Sequence, residues 1–173
     1  MAGSIKPLFF LLVGGALYFS GSFFEEPGDD IVHYATNDAT MNDAQEDARR
    51  SLPDFLAHKL DDTGIAAEGA MVKVAFPITS EDGDNDEVIW VGPFARSGNT
   101  FTGALANDPV YVGGAYGDEV TFTQDMIRDW MYQGEDGKLY GNYTTRVMLP
   151  ELTATQAAQI SQLLSEDPMP ARW

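Results

Sequence analysis

The chain has 173 residues, 27 Asp and Glu against 10 Lys and Arg, a formal net charge of -17, no cysteine and 44% hydrophobic residues. That length does not fit a large multidomain enzyme, and without cysteine neither a disulfide framework nor thiolate chemistry is open to it. So few bases argue against phosphate neutralisation along a nucleic acid, and the apolar, Gly and aromatic content excludes wholesale disorder.

Lys6 is the only charged side chain in the first 24 residues, and Leu8 to Phe19 is almost wholly apolar. The uncharged stretch 7–24 is long enough to cross a bilayer as a helix. Its apolar centre, followed by Ser20-Gly21-Ser22, equally fits a secretory signal. Lys6 precedes the segment and Glu25, Glu26, Asp29 and Asp30 follow it, which places the rest of the chain outside the cytoplasm. The expectation for 1–24 is therefore a hydrophobic helix, either a cleaved signal peptide or a retained anchor that meets the membrane through 7–24. The domain would then be periplasmic, or anchored in the inner membrane.

Residues 25–40 read as an acidic tether, punctuated by Pro27, Gly28 and Asn37. From 41 to 60, Met41, Ala44, Ala48, Leu52, Phe55, Leu56 and Leu60 recur at spacings of three and four, which predicts a helix with one apolar face. Pro53 removes a donor within it, so one kinked helix or two short ones are expected, with Ser51 capping a restart.

From residue 71 the pattern has period two. Strands are predicted at 71–77, 87–94, 100–105, 119–122 and 127–132, with a short one at 110–112. Arg96-Ser97-Gly98-Asn99, Asn107-Asp108-Pro109, Gly113-Gly114 and 134–137 supply the turns. Thr153 followed by Gln156 is a capping-box signature, and Ala157, Ile160, Leu163 and Leu164 form a short amphipathic face behind it. The fold class is thus α+β: a small, strongly bent antiparallel sheet or SH3-like barrel, with a leading helix and a C-terminal helix, preceded by the N-terminal hydrophobic helix. The segments are 1–24, the tether 25–40, an α+β domain over 41–150, and a C-terminal helix and tail over 151–173.

Several motifs follow one another in order. They are Ser51-Leu52-Pro53-Asp54-Phe55, Val72-Lys73-Val74, Glu87-Val88-Ile89-Trp90-Val91 and the stretch Phe101 to Pro109 with Gly103, Leu105 and Asn107. Gly117-Asp118-Glu119-Val120-Thr121-Phe122, Ile127-Arg128-Asp129-Trp130 and then Gly141, Tyr143 and Arg146 complete the set. Over about residues 44–150 the chain resembles the YegJ-like bacterial domain of unknown function, DUF2314. The resemblance implies a fold; it carries no established activity and no catalytic residues.

Asp82 to Glu87 suggests oxygen ligands for calcium, but Glu87 stands where an EF-hand loop needs Gly and Pro93 where it needs Glu, so an acidic hairpin loop is the simpler reading. His33 and His58 have no metal-binding spacing, and no nucleophile elbow, Walker loop or dinucleotide fingerprint is present. No cofactor, metal or catalytic residue is assigned. The candidate binding residues are Trp90, Asp118, Asp129, Trp130, Tyr143 and Arg146. Gly117-Asp118 before a strand is a tight turn. Asp129 could accept from an indole N–H or pair with Arg146. A buried Asp129–Arg146 pair closing a barrel is one arrangement. The other is a cleft in which Trp90, Trp130 and Tyr143 offer flat contact area and Arg146 a bidentate fork.

These features point to a non-enzymatic envelope module that binds a protein, peptide or wall component, a basic partner being favoured by the acidity. The alternatives are a carboxylate-dependent hydrolase of cell-wall material and an immunity-like protein that neutralises a basic toxin. Twelve of the acids fall between residues 25 and 70 and five more in 81–87, so the charge belongs chiefly to the tether, one helix and one loop.

Overall fold

The structure is a computed structural model that describes residues 39–78 and 86–173, together with the backbone of Leu8–Phe10, Ile31–His33, 79–80 and 83–85. In chain order the elements are β1 (Leu8–Phe10), β2 (Ile31–His33), α1 (Ala39–Lys59), β3 (Met71–Ser80), β4 (Gly83–Ser97), β5 (Thr100–Leu105), β6 (Glu119–Thr123), β7 (Ile127–Gln133), β8 (Leu139–Gly141), α2 (Tyr143–Met148) and α3 (Ala154–Leu163). Short 3-10 turns at Gln124–Met126 and Leu149–Glu151 link β6 to β7 and follow α2.

β4 organises the sheet. Its first half pairs antiparallel with β3 from Val72↔Val91 to Ser80↔Gly83, and its second half pairs with β5. Between Val91 and Phe94 it carries one residue more than β5 opposite. Pro93, which has no N–H to give a ladder, falls in that bulge, and the strand turns there. β5 passes close by: a Cβ on Gly103 would lie 2.6 Å from Val91 Cγ1 and 2.9 Å from Phe94 Cβ, so only glycine fits the crossing. β6 pairs with β5, β7 with β3, and β8 with β7, all antiparallel. β1 is the exception, running parallel to β4 at Leu8↔Glu87 and Phe9↔Val88. No ladder joins β6 to β8 among the described residues, so the sheet is bent and open, not closed into a barrel.

The apolar face predicted for the leading helix is the one that is buried: Met41, Ala44, Ala48, Leu52, Phe55 and Leu56 all face the core. The helix differs from expectation in being unbroken across Pro53. Ser51 caps no restart. Its hydroxyl donates back to Asp47 O (3.0 Å) and Ala48 O (3.1 Å). The helix is held instead by its packing, since Phe55 stacks on Trp130 with ring centroids 4.8 Å apart.

The main core joins Leu52, Phe55 and Leu56 to Val72, Val74, Ile89, Val91, Phe94, Phe101, Phe122 and Trp130. On the other side of β3 and β4, Met41 and Met148 pack on Ala75 and Val88. Both faces of the central strands are therefore covered. Thr153 caps α3 with the reciprocal bonds read from the sequence, and Ile160 and Leu164 are buried. Beyond α3, Pro168 O accepts from Gly141 N–H (2.8 Å) and Trp173 packs against the main core.

Two further differences stand out. Val110–Val112, expected as a strand, belongs to a loop, while β8 and α2 form where no element was expected. The hydrophobic helix expected over 7–24 lies outside the described residues, except that the backbone of Leu8–Phe10 is extended. Most of the tether 25–40 is also outside them. No helix among the described residues is long and apolar enough to cross a membrane.

Candidate binding surface and the polar interior

A β-bulge between Lys73 and Val74 sets Lys73 of β3 opposite Asp129 of β7, with both side chains buried. Asp129 sits where the chain turns into α2. Asn142 precedes that helix in a left-handed conformation and supplies no side-chain cap. Asp129 takes over the task from the neighbouring strand. Its carboxylate accepts from Thr144 N–H (2.8 Å), Thr144 Oγ1–H (2.7 Å), Tyr143 N–H (3.2 Å) and Trp130 N–H (2.8 Å). A negative group also suits a helix N-terminus. Lys73 Nζ donates to Thr144 Oγ1 (3.2 Å) and lies 5.3 Å from the centroid of the Trp90 ring.

Burial pushes the Asp129 carboxyl above its ordinary range, an effect that Lys73 and the Thr144 hydrogen bonds oppose. Burial likewise lowers the Lys73 ammonium to about 8, against the pull of Asp129. Desolvation thus drives both members toward neutrality, while their mutual attraction holds the charges in place.

Trp130 is fully buried. Its indole N–H donates to Ala48 O (3.2 Å) and Ser51 Oγ (3.0 Å), which ties β7 to α1. Trp90 is buried beside Ala106 and Met131. Tyr143 meets Trp130 edge-on at 5.8 Å. Arg146 does not pair with Asp129. It donates from Nε to Gly141 O (3.1 Å) and from its terminal nitrogens to Ser165 O (2.8 Å) and Ser165 Oγ (3.0 Å), fastening α2 to the segment after α3. The structure therefore brings Asp129, Trp130 and Tyr143 together in the interior. It ties Arg146 elsewhere and leaves Trp90 and Trp130 without an open face. Asp118 is exposed and accepts from Ala115 N–H (2.9 Å) in a turn. His58 is exposed at the end of α1 and stacks on Trp173 at 5.1 Å, whereas the side chain of His33 lies outside the described residues.

The accessible chemistry lies in the loop 107–118. Among the described residues, the large apolar side chains that stay exposed are Ile65 (57%), Val110 (51%), Tyr111 (60%) and Tyr116 (68%), three of them in this loop. Its backbone is braced from below. The carboxylate of Glu87, fully buried on β4, accepts from the N–H groups of Val110 (2.6 Å), Tyr111 (2.9 Å) and Val112 (2.7 Å). Asp108 accepts from Tyr116 N–H (2.7 Å). At the loop's base, Asn107 Oδ1 is enclosed without a partner.

Sequence reasoning missed Lys73, Glu87 and Thr144, because alternation along a strand reads a polar residue as solvent-facing, whereas β3 and β4 are covered on both faces, and no local pattern marks α2. The loop carried one usable signal, two tyrosines and two valines within a run of glycines (Val110 to Gly117) between turn residues.

With this geometry in hand, comparison with known proteins gives a family. One described as "Uncharacterized protein conserved in bacteria (DUF2314)" matches residues 38–164. The chain belongs to this family. It is 30% identical over 153 residues to the uncharacterized protein YegJ of Escherichia coli (strain K12), covering 87% of this chain and 94% of that one. It is also 29% identical over 137 residues to a putative ankyrin repeat protein of Neisseria meningitidis serogroup B, covering 76% of this chain and 54% of that one. No solved structure matches.

The residues that carry the resemblance to DUF2314 are largely architectural here. Phe101, Leu105 and Phe122 fill the core, Gly103 permits the β4–β5 crossing, and Asp129 with Trp130 joins α1, β7 and α2. Gly141 has φ +71°, and a Cβ there would fall 2.1 Å from Trp130 O.

Proposed function

We propose that the chain is an exported or membrane-tethered binding module of the bacterial envelope, and that the loop 107–118 is its contact surface. The observation that carries this reading is the division of labour among the side chains. Lys73, Glu87 and Asp129 are sealed and occupied with backbone or hydroxyl partners, whereas the exposed apolar area gathers on one braced loop. Tyrosine on a glycine-containing loop offers a large amphipathic contact at low entropic cost. The buttress from Glu87 lowers that cost further by fixing the backbone before binding. A hydrolase that used Asp129 would need that carboxyl at a solvent-reachable position, and it is 1% exposed.

The test is retention of the detergent-solubilised full chain on immobilised envelope proteins, where residues 7–24 cannot hold it by insertion. Wild type should be retained, and a Tyr111→Ser/Tyr116→Ser variant with unchanged thermal melting should wash off. Equal retention of the two proteins would remove the loop from the account. Purified peptidoglycan should be turned over by neither protein above background.

A further inference from the structure

We infer that the outer edge of β6, together with Tyr116 and the carboxylates beside it, takes up an extended basic segment of a partner protein by strand addition. This rests on the binding-module reading above and names the kind of partner.

β6 pairs with β5 alone. Just before the strand, Leu105 N–H donates to Asp118 O (2.9 Å) and Leu105 O accepts from Gly117 N–H (2.8 Å), so Leu105 meets Gly117 and Asp118 as the hydrogen-bonded pair of a β-bulge. In an antiparallel ladder such pairs alternate with non-bonded ones. The register Ala104↔Glu119 and Thr102↔Thr121 therefore turns the N–H and C=O groups of Glu119 and Thr121 away from β5. No other strand meets them among the described residues. Open edges are usually blunted by lysine, proline or a covering element. β6 has neither lysine nor proline, and the side chains of Glu119 and Thr121 are exposed. Such an edge offers main-chain hydrogen bonds to an incoming strand, with alternate side chains setting its specificity.

Charge selects the occupant. From residue 97 to 127 there is no Lys or Arg, while Asp108, Asp118, Glu119 and Asp125 occur there. Tyr116 lies three residues before Glu119 and is 68% exposed, so its ring is open to a guanidinium or ammonium group. An acidic segment would meet like charge along this edge. So would a second copy of this chain, with a net charge of -17 and the same acidic edge. A segment alternating basic and apolar residues satisfies the backbone, the rings and the carboxylates together.

The experiment uses the full chain and a synthetic hexapeptide alternating Lys and Val, at saturating concentration. Amide exchange at Glu119 and Thr121 is expected to slow by about tenfold or more as those groups become hydrogen-bonded. The effect should weaken with added salt. It should vanish with a Glu/Val counterpart and with a Lys/Val peptide N-methylated on its backbone. Thr121→Pro removes an outward N–H without touching the β5 ladder and should abolish the effect, while Thr121→Val, which keeps the N–H, should behave as wild type. The N-methylated peptide makes the same test with the protein unaltered. Unchanged exchange at both amides with the Lys/Val peptide would overturn the inference, as would equal protection by the Glu/Val or N-methylated peptide. Changes confined to Val110–Tyr116 would overturn strand addition yet leave the loop as a contact surface, which the envelope-retention measurement tests separately.

Discussion

Glu87 and Asp129 are carboxylates sealed inside an acidic protein, and each serves as a clamp on backbone N–H groups. A buried charge is tolerated when its oxygens are fully used. Glu87→Gln keeps the shape but removes the charge and turns half of the acceptor into a donor facing the N–H groups of Val110, Tyr111 and Val112. It is expected to cost about 2–3 kcal/mol, the scale of a lost charged hydrogen bond. Denaturant unfolding measures the loss, and faster amide exchange confined to that loop would locate it. Lys73 gives a test in pH. Its folded-state value of about 8 lies below the ordinary 10.5, so the unfolded chain binds more protons between those limits. Stability from this group therefore rises as pH climbs from about 8 to 10.5, where the penalty for a buried charge disappears. The Lys73→Met variant should lack that rise. A wild-type-minus-variant stability difference that stays flat across the window would show that Lys73 is not desolvated as described.

At the scale of elements, contacts between them decide what propensity leaves open. α1 stays whole across Pro53 because the apolar stripe on either side of the proline packs on one continuous core and Trp130 bonds to Ala48 and Ser51 one turn earlier. Trp130→Phe should cost about 2–4 kcal/mol, from lost packing together with the loss of the buried indole N–H bonds to Ser51 and Ala48. Calorimetric melting reads that loss, and a drop close to zero would show the tie is unimportant. Gly103→Ala places a methyl group against Val91 and Phe94 and is expected to destabilise the β4–β5 crossing by about 1–3 kcal/mol through overpacking. The strands, the leading helix face and the Thr153 cap were legible in the sequence because each rests on local periodicity or a local capping pattern. α2 was not, since its N-terminus is satisfied by Asp129 from another strand and no local cap marks it. The loop at Val110–Val112 was misread as a strand for the same reason: its N–H groups go to Glu87, 23 to 25 residues away, and not to a ladder.

At the scale of the whole molecule, the candidate residues chosen from sequence were aromatic or charged groups near strands, and the fold uses most of them inside. Asp129, Trp130 and Trp90 are buried, and Arg146 fastens α2 to the segment after α3. Only Asp118 of that set reaches the exposed loop. The distinction was hidden because a sheet covered on both faces has no polar side, so alternation along β3 and β4 does not tell inward from outward. What the bent sheet leaves outside is the braced loop 107–118 and the open edge of β6.

The central claim is that this loop meets a partner in the bacterial envelope. A photo-crosslinking residue placed singly at Tyr111, at Tyr116 and at exposed Glu151 of the full chain, expressed in a bacterium that carries a family member, tests it most directly. Discrete cross-linked products at Tyr111 and Tyr116, with none at Glu151, are the expected result. No product at the loop positions, or the same products at all three, would contradict the account.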